Sequence, residues 1–148
     1  MDKGISLRKI WFDNDCIELE IKTSDDTSLF SNKVYVGHQA FDDLISDLDR
    51  FKDQVFGGIY DIKFGEFGPE YAGGAFHARL HFHKPGRLYI TVKAQTDFKE
   101  FTKTRVAGEA TLYLTSEPGL LDNFIVELKR LKSGVSDEAH LQSTWPFT

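Results

Sequence analysis

Cysteine is nearly absent from this chain: Cys16 is the only one in 148 residues. No disulfide can form within one copy, so packing alone has to hold the fold together. A lone thiol suits a reducing compartment. The carboxylates of Asp15 and Glu18 lie close to Cys16 in the sequence, and we expect them to raise its pKa because nearby negative charge disfavours the thiolate. A Cys-His nucleophile is therefore not expected.

Long apolar runs are also missing. No stretch approaches the roughly 18 apolar residues that a membrane-spanning helix needs. The first ten residues, MDKGISLRKI, place charges on both sides of their apolar residues, unlike the apolar centre of a secretory signal peptide. We expect a cytoplasmic protein with no membrane partner.

Positive charge is in short supply, with 18 Lys and Arg against 23 Asp and Glu and a net charge of −5. Binding to duplex nucleic acid is not expected, because it needs a basic face that displaces counterions from the phosphates. Single-stranded nucleic acid is a lesser alternative, since rings for stacking are present but the overall charge is unfavourable. A basic protein partner suits this charge better.

The familiar catalytic motifs do not occur. The sequence contains no GxSxG, P-loop, GxGxxG, CxxC or HExxH motif. Carboxylates are numerous, but their pattern singles out no acid–base pair. We therefore expect a protein that is not an enzyme and that carries no cofactor.

Phenylalanine is abundant, with 13 residues against one methionine, which predicts a core of rigid aromatic rings. Alternation of apolar and polar residues predicts seven strands. In CIELEIK, for example, Ile17, Leu19 and Ile21 fall on one side. The predicted strands cover residues 5–12, 16–22, 29–36, 59–67, 75–83, 88–93 and 104–115.

Two segments change to the helical spacing of apolar residues. The first starts at residue 38, carries apolar residues as far as Val55, and is expected to end at Gly57-Gly58, since glycine readily closes a helix. The second follows Ser116, the predicted N-cap, and ends at Gly134.

The resulting order βββ-α-ββββ-α predicts an α+β fold in which two amphipathic helices cover the apolar face of antiparallel sheets. A single domain is expected over residues 1–134, followed by a polar tail over 135–148 that Trp145 and Phe147 could anchor. A homodimer through a sheet edge or this tail stays open. At the Pro85-Gly86 turn we predict a bulge around residues 84–87, which keeps Phe82 and Leu88 on one face.

The stretch HARLHFHKPGRLYI contains three histidines, and residues two apart on a strand share a face. His81 and His83 could therefore bind one metal ion, with Glu109 or Asp61 as a third ligand from a neighbouring strand, although one His-x-His pair is far from a zinc motif. We favour instead a solvated, open sheet face that binds a partner, because Tyr and Arg are enriched at interfaces. The face residues proposed for binding are His77, Arg79, His81, Tyr89, Arg105 and Tyr113, with Thr91, Lys93, Glu109 and Thr111 beside them.

The first helix has the opposite character, because aspartates line it away from the apolar stripe. Such a stripe is usually a solvated face, but it could also dock a basic partner such as a toxin domain. The acidic-helix residues are Asp42, Asp43, Asp47, Asp49 and Asp53.

The segments GHQAFDDLISDLDRF and ATLYLTSEPGLLDNFIVELKRL, each preceded by strands, resemble a loose set of small bacterial single-domain proteins, some of them immunity proteins encoded beside toxins. The resemblance follows the order of elements over about residues 5–132 and includes no catalytic motif. It implies a non-enzymatic protein-binding domain, an immunity-type inhibitor of a bacterial toxin. The alternative is a small-ligand-binding or metal-assisted hydrolytic α+β domain that uses the open sheet face.

Overall fold

The computed structural model of this chain describes residues 3–71 and 73–144. Within these ranges the chain forms ten strands and two helices. The strands are β1 Gly4–Phe12, β2 Cys16–Ser24, β3 Leu29–Gly37, β4 Ile59–Phe64, β5 Ala75–Lys84, β6 Arg87–Gln95, β7 Lys99–Phe101, β8 Thr104–Val106, β9 Glu109–Ser116 and β10 Glu138–Gln142. The helices are α1 His38–Phe51 and α2 Pro118–Ser133.

The strands build two four-stranded sheets and one small hairpin. Sheet A has the order β10-β1-β2-β3 and sheet B the order β4-β5-β6-β9, while β7 pairs with β8. Every pairing is antiparallel. The predicted α+β class and the order βββ-α-ββββ-α are confirmed, with further strands in addition to the seven that were expected.

The inner faces of both sheets and the apolar stripes of both helices are buried in one core. Aromatic rings contribute much of it, as the phenylalanine content predicts: Phe51 of α1 stacks on Phe82 of β5 with ring centroids 5.0 Å apart. Burying a side chain of this size contributes roughly 1.5–3 kcal/mol. The fully buried phenylalanines are Phe41, Phe51, Phe76, Phe82 and Phe124.

The edge strand β3 of sheet A joins sheet B through a buried amide. Asn32 is 5% exposed, and its Nδ2 donates to the carbonyl oxygens of Ala75 at 3.0 Å and Gln95 at 3.2 Å. Gly74 makes the close approach of the two sheets feasible, because a Cβ at this position would meet the backbone oxygen of Lys33 and its φ is +97°. Glycine adopts such a φ without a steric penalty.

The end of α1 and the start of α2 differ from the expected positions. Helix α1 ends at Phe51 rather than at Gly57, because the chain turns at Lys52 and Gly57 N then donates to Phe82 O at 3.0 Å. Val55 still packs against the core, although it lies outside the helix.

Helix α2 begins one residue later than predicted. Its N-cap is Glu117, whereas the Ser116 hydroxyl is buried and donates to Gln142 O at 2.7 Å. The predicted end at Gly134 is confirmed by the left-handed φ of 82°. Neither helix in the described ranges is long and apolar enough to cross a membrane.

Three strand predictions need correction. The single strand expected over 104–115 divides into β8 and β9, and β8 pairs with β7 instead of with sheet B. The strand expected over 59–67 ends at Phe64. Residues 138–142, assigned to a polar tail, form β10 and bury Ala139 and Leu141 in the core. Residues 145–147, the expected anchor of that tail, lie outside the described residues.

The bulge predicted at the Pro85-Gly86 turn is confirmed. The register of β5 against β6 shifts between His81 and Lys84, and Lys84 pairs with Arg87. Phe82 and Leu88 are both fully buried as a result.

Candidate functional site

The side of sheet B that points away from the core presents polar residues in cross-strand rows. It is referred to below as the outer face. The register aligns its residues across β4, β5, β6 and β9, so that each row contains side-by-side neighbours. The first row is Lys63, His77, Lys93 and Thr111, the second is Asp61, Arg79, Thr91 and Tyr113, and the third includes Ile59, His81 and Tyr89.

The first row is bounded by the loop between β4 and β5. The ring of Phe67 meets the ring of His77 edge-on at 4.6 Å, and His77 Nε2 lies 3.2 Å from Gly65 O. Gly68 N donates to Gln95 Oε1 at 2.8 Å, which holds the loop on the end of the sheet. The His77 side chain therefore has a fixed position at the border of the outer face.

An ion pair occupies the second row. Arg79 donates to both carboxylate oxygens of Asp61, at 2.8 Å from Nε and at 3.0 Å from a terminal nitrogen. The hydrogen bonds and the charge of Arg79 hold the pKa of Asp61 below its usual value, and the same pair raises the pKa of Arg79. Two parallel hydrogen bonds also fix the direction of both side chains.

Histidines gather at the opposite end of the outer face. The rings of His81 and His83 lie 5.4 Å apart, and His83 meets Tyr89 at 5.7 Å. Glu109 is not near them, because it pairs with Gln95 at the far end of β9 and accepts from Gln95 Nε2 at 3.3 Å. The alternative metal site of His81, His83 and Glu109 is therefore wrong. No group of three His, Cys, Asp or Glu residues that could hold a metal occurs in the described part of the chain.

Two shallow depressions adjoin on the outer face. One has a volume of about 430 Å³ and the other of about 520 Å³, and Lys93 lines both. The first depression is lined by Asp61, Lys63, His77, Ala78, Arg79, Thr91 and Lys93, and the second by Phe67, Lys93, Ala94, Glu109, Ala110 and Thr111.

Most residues predicted for the open face do lie on it. The structure brings together His77, Arg79, His81, Tyr89 and Tyr113. Arg105 is the exception: it lies in β8, where it pairs with Glu100 of β7, so its assignment to this face is corrected.

Two residues of the outer face, Asp61 and Lys63, were not included in the predicted binding face. Their alternation with Tyr60 and Ile62 already indicated the polar side of β4. Their pairing with Arg79 and His77 depends on the register between β4 and β5, which the pattern of one strand does not reveal.

The aspartates of α1 are largely engaged within the chain. Asp42 forms an ion pair with Lys132 of α2, and Asp49 lies 3.5 Å from Lys129. Cations near the end of α2 thus neutralise part of the acidic stripe.

The remaining aspartates differ from one another. Asp47 binds Arg50 at 2.5 Å and accepts from the Tyr60 hydroxyl at 3.0 Å, while Asp43 accepts from Gln39 at 2.9 Å. The exposed carboxylate of Asp53 has no partner within the described ranges. Most carboxylates of the acidic helix are therefore engaged in contacts within the chain.

The thiol of Cys16 is partly exposed, and its pKa is raised by burial and by Asp13, Asp15 and Glu18. A raised pKa keeps the thiol protonated and poorly nucleophilic. The direction expected from the sequence is confirmed.

Comparisons with protein-family models, with curated proteins and with solved structures found no match for this chain. The resemblance to small bacterial proteins stays a prediction.

Proposed function

We propose that this chain is a non-enzymatic protein-binding domain that docks a partner through the outer face of sheet B. Its role is of the immunity type, the inhibition of a bacterial toxin. The observation that carries the proposal is the placement of exposed Tyr113 in one row with Arg79 and Thr91 on paired strands. Tyrosine and arginine dominate binding energies at interfaces, and a rigid sheet presents them at little entropic cost.

The acidic helix supports docking less well than the outer face does. Charged groups steer a partner best when their charge is not already compensated. The carboxylates of Asp42 and Asp49 have lysines of α2 beside them. Binding of a basic toxin by this helix therefore has weaker support than binding through the sheet.

The chain offers a matched pair of residues for the test. Tyr113 is 59% exposed on the outer face, and Tyr35 is 57% exposed on the polar side of sheet A. The partner is taken from the gene beside that of this chain, or is isolated by cross-linking in the source organism. Calorimetry then measures its dissociation constant for each variant.

The Tyr113→Ala variant should raise the dissociation constant about tenfold or more, since an interfacial aromatic residue contributes over about 1 kcal/mol. Tyr35→Ala should leave it within about twofold. An equal loss in both variants contradicts the proposal, and so does a wild-type chain that binds neither the neighbouring gene product nor a cross-linked protein.

The alternative is a small-ligand-binding or metal-assisted hydrolytic domain on the same face. The depression of about 430 Å³ favours this alternative, because Thr91 and Lys93 offer polar groups in its wall. Metal analysis of the purified protein separates the two functions. Stoichiometric zinc or manganese in the purified protein would favour the alternative.

A further inference from the structure

Two lysines flank a histidine in the first cross-strand row of the outer face. His77 of β5 pairs with Lys63 of β4 on one side and with Lys93 of β6 on the other. These three residues are called the basic row below.

The two lysines of the basic row form no ion pair with a carboxylate of the described residues, although the charge of Lys63 helps to lower the pKa of Asp61. Both lysines are exposed. Asp61 is nearby, but both of its oxygens accept from Arg79.

The local charge is opposite to that of the whole chain. The wall of the depression of about 430 Å³ contains the cations Lys63, Arg79 and Lys93 and one carboxylate, Asp61. The net charge of the chain is −5. Glu109 lines only the adjoining depression, where it accepts from Gln95.

We propose that the basic row binds carboxylates on an acidic surface of the partner protein. The inference rests on the proposed docking face and specifies its chemistry. Complementary charge accelerates the encounter and selects the partner, and paired strands hold the three positions in a fixed row. The partner surface that meets sheet B is therefore acidic, although the acidic composition of this chain favoured a basic partner.

Nucleic acid suits this face less well than an acidic protein does. Single strands bind on a series of exposed rings beside a positive groove. In the second and third rows Tyr113 is exposed, whereas Tyr89 is only half-exposed.

The test uses labelled poly-L-glutamate as the probe, with fluorescence anisotropy at low salt as the measurement. The Lys63→Gln/Lys93→Gln double variant changes the basic row. The matched control is Lys22→Gln/Lys33→Gln, which removes two exposed lysines from the polar side of sheet A. Both double variants lose two positive charges, so a general charge effect is the same in each, and thermal melts confirm that both are folded.

Loss of the two basic-row lysines should weaken poly-L-glutamate binding about tenfold, while the control should change it less than about twofold. Equal losses, or no binding of the probe by the wild-type chain, would overturn the inference. Tighter binding of a single-stranded oligodeoxynucleotide of equal charge would also overturn it.

Failure here is distinguishable from failure of the proposed function. Suppose that Tyr113→Ala weakens binding of the partner but the basic-row variant does not alter poly-L-glutamate binding. In that case docking through the outer face is supported, and the inference that the partner surface is acidic is contradicted.

Discussion

Asp61 and Arg79 face each other across β4 and β5, and the guanidinium donates to both oxygens of the carboxylate. This pair lies in the row next to Lys63, His77 and Lys93. Because Arg79 engages both oxygens of Asp61, neither lysine forms an ion pair with this carboxylate.

The Asp61–Arg79 pair should make a small, pH-dependent contribution to stability. Asp61→Asn is expected to lower the free energy of unfolding at neutral pH by about 0.2–1 kcal/mol, since exposed pairs contribute no more than this. The pKa of Asp61 is lowered in the fold, so the contribution is present above the ordinary aspartate pKa of about 3.9 and disappears as the pH falls through the lowered value.

Urea titrations at neutral and acidic pH measure this difference. Asp53→Asn is the control, because it removes the same charge from a carboxylate without a partner in the described ranges. A difference between wild type and Asp61→Asn that grows on acidification would contradict the assignment.

The hydroxyl of Tyr60 connects β4 to α1 by donating to Asp47 Oδ2 at 3.0 Å. Tyr60→Phe should lower the free energy of unfolding by about 1 kcal/mol at neutral pH. Burial and the hydrogen bond to Asp47 raise the pKa of Tyr60 far above its ordinary value. The contribution is therefore complete below the unfolded pKa of about 10 and is lost as the pH rises through the folded value.

Chemical denaturation at neutral pH and above pH 10 tests this prediction. The control is Tyr113→Phe, which removes a hydroxyl from an exposed side chain and should leave stability unchanged at neutral pH. If Tyr60→Phe matches the wild type at neutral pH, the hydrogen bond does not contribute.

The amide of Asn32 should be important for holding the two sheets together. Asn32→Ala would leave the carbonyl oxygens of Ala75 and Gln95 without this donor. We expect a loss of about 2–6 kcal/mol, because each of the two carbonyl groups left without this donor costs about 1–3 kcal/mol. Asn123→Ala, at an exposed position of α2, should be neutral in the same urea titration, and an equal effect of the two substitutions would show that Asn32 has no special role.

Two adjacent glycines should differ sharply when substituted. Gly74→Ala places a Cβ against the backbone oxygen of Lys33 at a φ of +97°, whereas a Cβ at Gly73 meets nothing within 4 Å. Gly74→Ala is expected to cost roughly 1–3 kcal/mol, and Gly73→Ala should cost much less. Thermal melts of the two variants decide the matter, and similar melting temperatures would exclude a tight contact between β3 and Gly74.

Alternation along single strands predicted which residues share the outer face. It succeeded for His77 and Arg79 because the period of two in β5 leaves no other choice once Phe76 and Leu80 are buried. It failed for Arg105, because the chain leaves sheet B after Gln95, forms the β7–β8 hairpin and returns to sheet B only at Glu109. The pattern of residues 104–115 does not reveal this interruption.

Relations between distant elements could not be predicted from local patterns. The alternative metal site was wrong because alternation shows which face of the sheet a side chain lies on, but not which end of the sheet it occupies. Glu109 lies at the opposite end of the outer face from His81. The neutralisation of Asp42 by Lys132 likewise depends on how α1 packs beside α2. The basic row required the register of three strands, which is set by the turns and the core rather than by any one segment.

Hydroxyl-radical footprinting of the complex tests the central claim most directly, because it reports on side chains of the outer face in the unmodified chain. We predict that the partner lowers the oxidation of Tyr113 and leaves that of Tyr35 unchanged. Protection of Tyr35, or of α1 with Tyr113 still fully reactive, would contradict docking through sheet B.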